Sequence, residues 1–176
     1  MGSGSPNGFQ VRGAQYQDAC QVNETPMPQL VLTKTVEVFE PSGLSVPGAD
    51  AVYTIRVQNT GSADTDGDSL VLLDAIPAEL SLVNLPFQSP PGTTLTPNPI
   101  LFVQSDANMD FQLGRDVGFS SSTTAPAQFA DCTDALTGSL NPQINFICLN
   151  PKGLLAADPT GLTAPEIVFQ FRARIQ

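Results

Sequence analysis

Three carboxylates at alternate positions, Asp64, Asp66 and Asp68, stand in the stretch TGSADTDGDS that runs from Thr60 to Ser69. Hard cations take six to eight oxygen ligands, and carboxylates alternating along a loop can converge on one ion. The stretch therefore reads as a candidate calcium site. It is half of a calcium loop: Gly67 comes two positions early, and Ala75 stands where a closing bidentate Glu belongs. A solvated, charged turn joining two strands and blunting aggregation accounts for the same residues. Asp74 is near in sequence but is not assigned as a ligand.

Other chemistry finds less support. The chain has no His, so neither a Ser-His nor a Cys-His pair can form. Lys34 and Lys152 are its two lysines, and neither sits in a Ser-Lys motif. With 17 acidic residues some close carboxylate pair is inevitable, so pairing is weak support for glycoside hydrolysis. There is no Trp, and Tyr16 and Tyr53 are the only tyrosines, which leaves little for a sugar-stacking platform. Gly-rich phosphate loops are absent. The expectation is a protein without catalytic activity and with no cofactor, calcium excepted.

The elements that would position these residues come from bulk composition and patterning. The chain of 176 residues carries 7 basic against 17 acidic side chains, a net of −10. That balance disfavours nucleic acid and anionic membrane surfaces as partners. A hydrophobic fraction of 41% can fill a core, yet no apolar run approaches the roughly 18 to 20 residues of a membrane span. Charged residues make up 14%, so Ser, Thr, Asn, Gln and Gly must cover most of the surface, as is common in secreted β proteins.

Cysteine usage points to the same compartment. Fifteen residues separate Cys132 from Cys148, a spacing that suits a disulfide closing one excursion. Such a bond contributes about 3 kcal/mol in the chain-entropy model. Cys20 is left over, for an intermolecular bridge or a free thiol. Three reduced cysteines are the alternative. No C-x-x-C and no His means no ordinary zinc set. No signal peptide is visible, and MGSGSPNG, residues 1–8, reads as an expression leader on a mature secreted sequence, with a cytosolic chain as the alternative. NET at 23–25 matches a glycosylation sequon, a triplet that also arises by chance.

The chain has almost no helical period. Sixteen Pro and fourteen Gly punctuate short alternating runs. QLVLTKTVEVFEP places Leu30, Leu32, Val36 and Val38 on one face. AVYTIRVQN places Tyr53, Ile55 and Val57 opposite Thr54, Arg56 and Gln58. SLVLLDAIP, ELSLVNLPF, PILFVQ, MDFQLG and VGFSSS follow. INFICLN sets Ile144, Phe146 and Cys148 on one side. EIVFQFRARIQ alternates over ten residues, with Ile167, Phe169, Phe171, Ala173 and Ile175 on the apolar face. A period of 2 gives strands with one buried and one wet face, and this many short strands predict an antiparallel sandwich. PAQFADCTDALTGSL reads as loop or a single turn. SPPGTTLTPNP, residues 89–99, reads as a connection whose one core-forming residue is Leu95.

Residues 1–28 differ in composition, being rich in Gly, Gln and Asn. They read either as a disordered arm or as an extension in which Phe9 and Val11 pair with a sheet edge, in the same domain or a neighbouring subunit.

The run from Leu30 to Leu80 has a recognisable order. A TKTV strand leads to a Pro47-Gly48 turn, then VYTIRVQNTGSADTD, then LLDAIPAEL; LNPKG and FQFRARIQ follow near the end. This resembles the Ig-like domain catalogued as domain of unknown function 11, the conserved repeat domain of bacterial and archaeal surface proteins. Leu73 replaces the usual Thr before Asp74. The match covers residues 29–84 well and 143–176 moderately, and leaves the middle unmatched. The resemblance implies an Ig-like β-sandwich over 29–176 and a surface or extracellular structural module with no assigned chemistry. Taken with the composition, the expectation is a secreted or cell-surface fibre, matrix or adhesive subunit. It would assemble into a homopolymer by strand complementation, with Phe9, Val11 and Cys20 as the pairing arm. A calcium- or carbohydrate-binding surface module is the alternative.

Overall fold

The computed structural model describes residues 25–38, 44–88, 95–158, 161 and 163–176. Phe9, Val11 and Cys20 lie outside the described residues, and so does most of the arm. The rest is almost entirely antiparallel β structure in a sandwich-like arrangement.

The first sheet is built around the most regular alternation in the sequence. Strand β11 (Glu166–Ile175) pairs along one side with β2 (Asp50–Asn59), from Glu166 opposite Gln58 to Arg174 opposite Asp50. Its other side is shared by β5 (Ile100–Ser105) and then β4 (Leu80–Val83). Strand β1 (Leu30–Val38) extends the sheet beyond β2, with Lys34 opposite Ile55, and β8 (Leu140–Asn141) extends it beyond β4. The second sheet is narrower: β3 (Leu72–Ala75), β9 (Phe146–Leu149) and β7 (Val117–Ser120), with β9 central. Strands β6 (Asn108–Asp110) and β10 (Lys152–Leu154) make a separate ribbon. A single helical turn, α1 (Leu113–Asp116), precedes β7, and a 3-10 turn spans Phe129–Asp131.

The core lies between the two sheets. Ile55, Val57, Ile167, Phe169, Phe171 and Ala173 from the wide sheet meet Leu72, Ile147 and Leu149 from the narrow one. The alternation of β2 and β11 sets this face, and their polar neighbours stay on the outside. Phe102, Phe111 and Phe169 pack with centroids 4.8 to 5.4 Å apart, in the range where aromatic pairs attract.

Three details differ from the sequence expectations. The core face of β9 carries Ile147 and Leu149; Ile144 is buried before the strand begins, and Cys148 points away. Both faces of β9 are covered, the outer one by the loop that Cys132 ties to Cys148, so its alternation does not reveal which face is the core. Leu95 is exposed; Thr96 is the buried residue there, and its Oγ1 accepts from Phe87 N. Leu30, Leu32 and Val36 do share a face, but that face stands 45%, 56% and 54% exposed.

Candidate functional site

Two regions use polar and apolar groups in opposite ways: a closed end holding the acidic loop, and an open flank along β1 and β3.

The closed end begins at Asn59, the last residue of β2, which is fully buried. Its Oδ1 accepts from the backbone N–H of Gln29 and of Gly61. Its Nδ2 donates to the carbonyls of Ala63, Leu155 and Ala156. One amide thus joins three stretches of chain, at residues 29, 61–63 and 155–156, through their backbone groups. The backbone bonds Thr60 N to Gln29 O and Ser62 N to Met27 O carry pairing back to Met27. A Cβ on Gly61 would collide with Gln29 N and Met27 O, so this approach requires glycine.

The acidic loop is laced onto residues 150–157. Asp64 Oδ1 accepts from Ala157 N at 2.7 Å, and Thr65 exchanges two bonds with Leu155. Asp68 sits at φ 60°, a left-handed conformation that Asp tolerates. Its N–H donates to Gly153 O, and its Oδ1 accepts from Gly153 N, both at 2.7 Å. The Asp66 carbonyl accepts from Ser69 N and Oγ and closes the turn. The three acids are exposed, and two of them each spend an oxygen on a backbone N–H some 85 to 93 residues away. The loop therefore works as a latch. Among the described residues no group of three or more acidic or cysteine side chains is placed to hold a metal ion.

The lacing continues to a carboxylate that sequence reasoning missed. Asn150 Nδ2 donates to Leu70 O and Asp68 O, while Lys152 Nζ donates to Asn150 Oδ1. Asn150 N donates to Asp116 O. Asp116 is 0% exposed and is gripped by Arg115 through Nε at 2.6 Å and Nη2 at 2.7 Å, with Gln112 N on Oδ2. Burial works to raise its pKa. The Arg115 and Gln112 hydrogen bonds and the charges of Arg115 and Lys152 outweigh burial and hold it below the ordinary Asp value. GRD in the sequence gives an adjacent acid and base, but not the burial that makes them matter.

Cys132 and Cys148 form a disulfide with Cα atoms 6.3 Å apart, as their spacing predicts. It ties the loop after the 3-10 turn to the centre of the narrow sheet.

The open flank is built from edges. Strand β1 pairs with β2 alone and β3 with β9 alone, so each has a free edge among the described residues. Asp74 of β3 reaches Lys34 of β1 at 2.7 Å, across the two sheets. Lys34 Nζ also lies 4.9 Å from the centroid of the Tyr53 ring, which stacks on Phe171. Burial and then the Asp74 charge push the Tyr53 hydroxyl pKa upward. A slot of about 230 Å³ opens here, lined by Leu32, Lys34, Ile55, Leu72 and Asp74 among others. Asp74 Oδ2 is buried with no hydrogen-bond partner.

Comparisons with known proteins return no match: no family model, no curated protein and no solved structure.

Proposed function

We propose that this chain is a non-enzymatic structural subunit of an extracellular fibre or surface layer, an Ig-like module that assembles by β-strand complementation. The observation that carries this reading is β1. Eight of its nine residues are exposed, on both faces, and its outer edge is unpaired among the described residues. A long edge strand rich in Leu, Val and Thr is a template for another strand. Such edges are normally short, charged or covered; here Lys34 and Glu37 are the only charges, and Asp74 already pairs with Lys34. An edge kept in this form fits a protein whose partner is another strand. The low charged fraction and the disulfide fit an oxidising, extracellular setting.

The test compares the full chain with one lacking residues 1–24, which leaves the Met27 to Ser62 pairing intact. Negative-stain electron microscopy and light scattering should find filaments or oligomers for the first and monomers for the second. Monomers from the full chain, or identical assemblies from both, would sink the reading.

A further inference from the structure

The wide sheet has a strand, β1, that the narrow sheet does not cover. Strands β7, β9 and β3 stop at β3, and Lys34 is joined to Asp74 at that boundary. Beyond it Leu30, Leu32 and Val36 face outward into solvent from what is, by register with Asn59, Val57 and Tyr53, the core side of β1. Among the described residues no strand of the narrow sheet lies beyond β3 to cover β1.

We propose that the missing strand is supplied by a second copy of this chain, through the segment around Phe9 and Val11, adding to the free edge of β3 and covering β1. This rests on the fibre reading above but places the pairing edge at β3, with β1 covered by the added strand rather than extended by it. Three observations argue for a peptide strand as the occupant. The edge of β3 offers backbone groups that only another backbone pairs in series. The slot beside it is apolar apart from Lys34 and Asp74, which suits alternate apolar side chains such as Phe9 and Val11. The buried Asp74 Oδ2 lacks a hydrogen-bond partner, which marks the site beside β3 as unfilled. The fibre reading makes the donor a second copy, and chain length allows it. Fourteen residue steps lead from Val11 to Thr25 and span at most about 50 Å when extended, enough to reach a neighbour.

The experiment uses the full chain with Cys20→Ser, Val11→Cys and Leu32→Cys, oxidised and run on a non-reducing gel. Leu32 is exposed, so its substitution does not burden the core. A control pairs Val11→Cys with Val103→Cys, equally exposed on β5 away from the slot. The expected result is a ladder of covalent oligomers for the Leu32 pair, collapsed by reductant, and none for the Val103 pair. A cross-link confined to monomers would overturn the second copy in favour of the chain's own segment. Normal assemblies without a Leu32 cross-link would overturn the slot and leave the fibre reading standing. No assembly from the unsubstituted chain would overturn both.

Discussion

The closed end and the open flank are made from the same kinds of residue and resolve them oppositely. Around Asn59 and the acidic loop, polar side chains answer backbone groups one for one, and Asn59 alone makes five hydrogen bonds. Along β1 and β3 the apolar face is uncovered, two edges are unpaired among the described residues, and a buried carboxylate oxygen has no donor. Of the three acids that look most like a functional site in the sequence, Asp64 and Asp68 each spend a carboxylate oxygen on holding the fold. The plain alternation of LVLTKTVEV is where apolar surface and an unpaired edge are left over among the described residues.

The sharpest way to break this contrast is Asn59→Ala. It strands two N–H groups and the carbonyls of Ala63 and Ala156, while Leu155 O keeps Thr65 N, and should cost roughly 3 to 5 kcal/mol in urea unfolding. A loss under about 1 kcal/mol would mean that water replaces the hub readily and that the closed end is not closed. Removing the disulfide by Cys132→Ala with Cys148→Ala should cost about 3 kcal/mol, read from the same curves against the oxidised parent. Asp116 gives the contrast a pH signature. Its folded pKa is depressed, so its contribution is complete above the unfolded value of 3.8 and fades as pH falls through the lower folded value. Asp116→Asn should therefore be less stable than the parent at neutral pH and should narrow that gap below about pH 4, by circular dichroism.

Within the acidic loop the effects are smaller and ordered. Asp64→Asn and Asp68→Asn should each cost about 1 kcal/mol, because each weakens a bond to a backbone N–H. Asp66→Asn should change stability by less than about 0.5 kcal/mol. A calcium-dependent rise in melting temperature that Asp66→Ala abolishes would reverse this order and make the loop an ion site. Smallest of all, Leu32→Ser on the open flank should shift monomer stability by no more than about 0.5 kcal/mol while impairing assembly.

The sequence disclosed most of the strands, because a period of 2 is a local property. AVYTIRVQN and EIVFQFRARIQ occur as β2 and β11, with the apolar face inward as read. What local pattern cannot reveal is what lies across from it. Leu32 and Val36 look like core in the chain and are exposed because the opposing sheet ends at β3. Asp64 and Asp68 look like ligands because their donors, Ala157 and Gly153, are remote in sequence. The Lys34–Asp74 pair was missed for the same reason, and Asp116 because its burial, unlike its adjacent Arg115, exists only in the packed fold. Residues about 40 to 90 apart meet only once the sheets have stacked.

The topology of the wide sheet also has a mechanical consequence. Strands β1 and β11 flank β2, and both run antiparallel to it. The chain therefore enters β1 at Leu30, beside Asn59, and leaves β11 at Ile175, at the other end of the sheet. Tension applied between those two points runs along the strands and loads both ladders in shear. Their hydrogen bonds must then yield together rather than one after another, as they would if the pull peeled a hairpin open. A module strung in series by its two ends would resist stretching through the strands that hold its core.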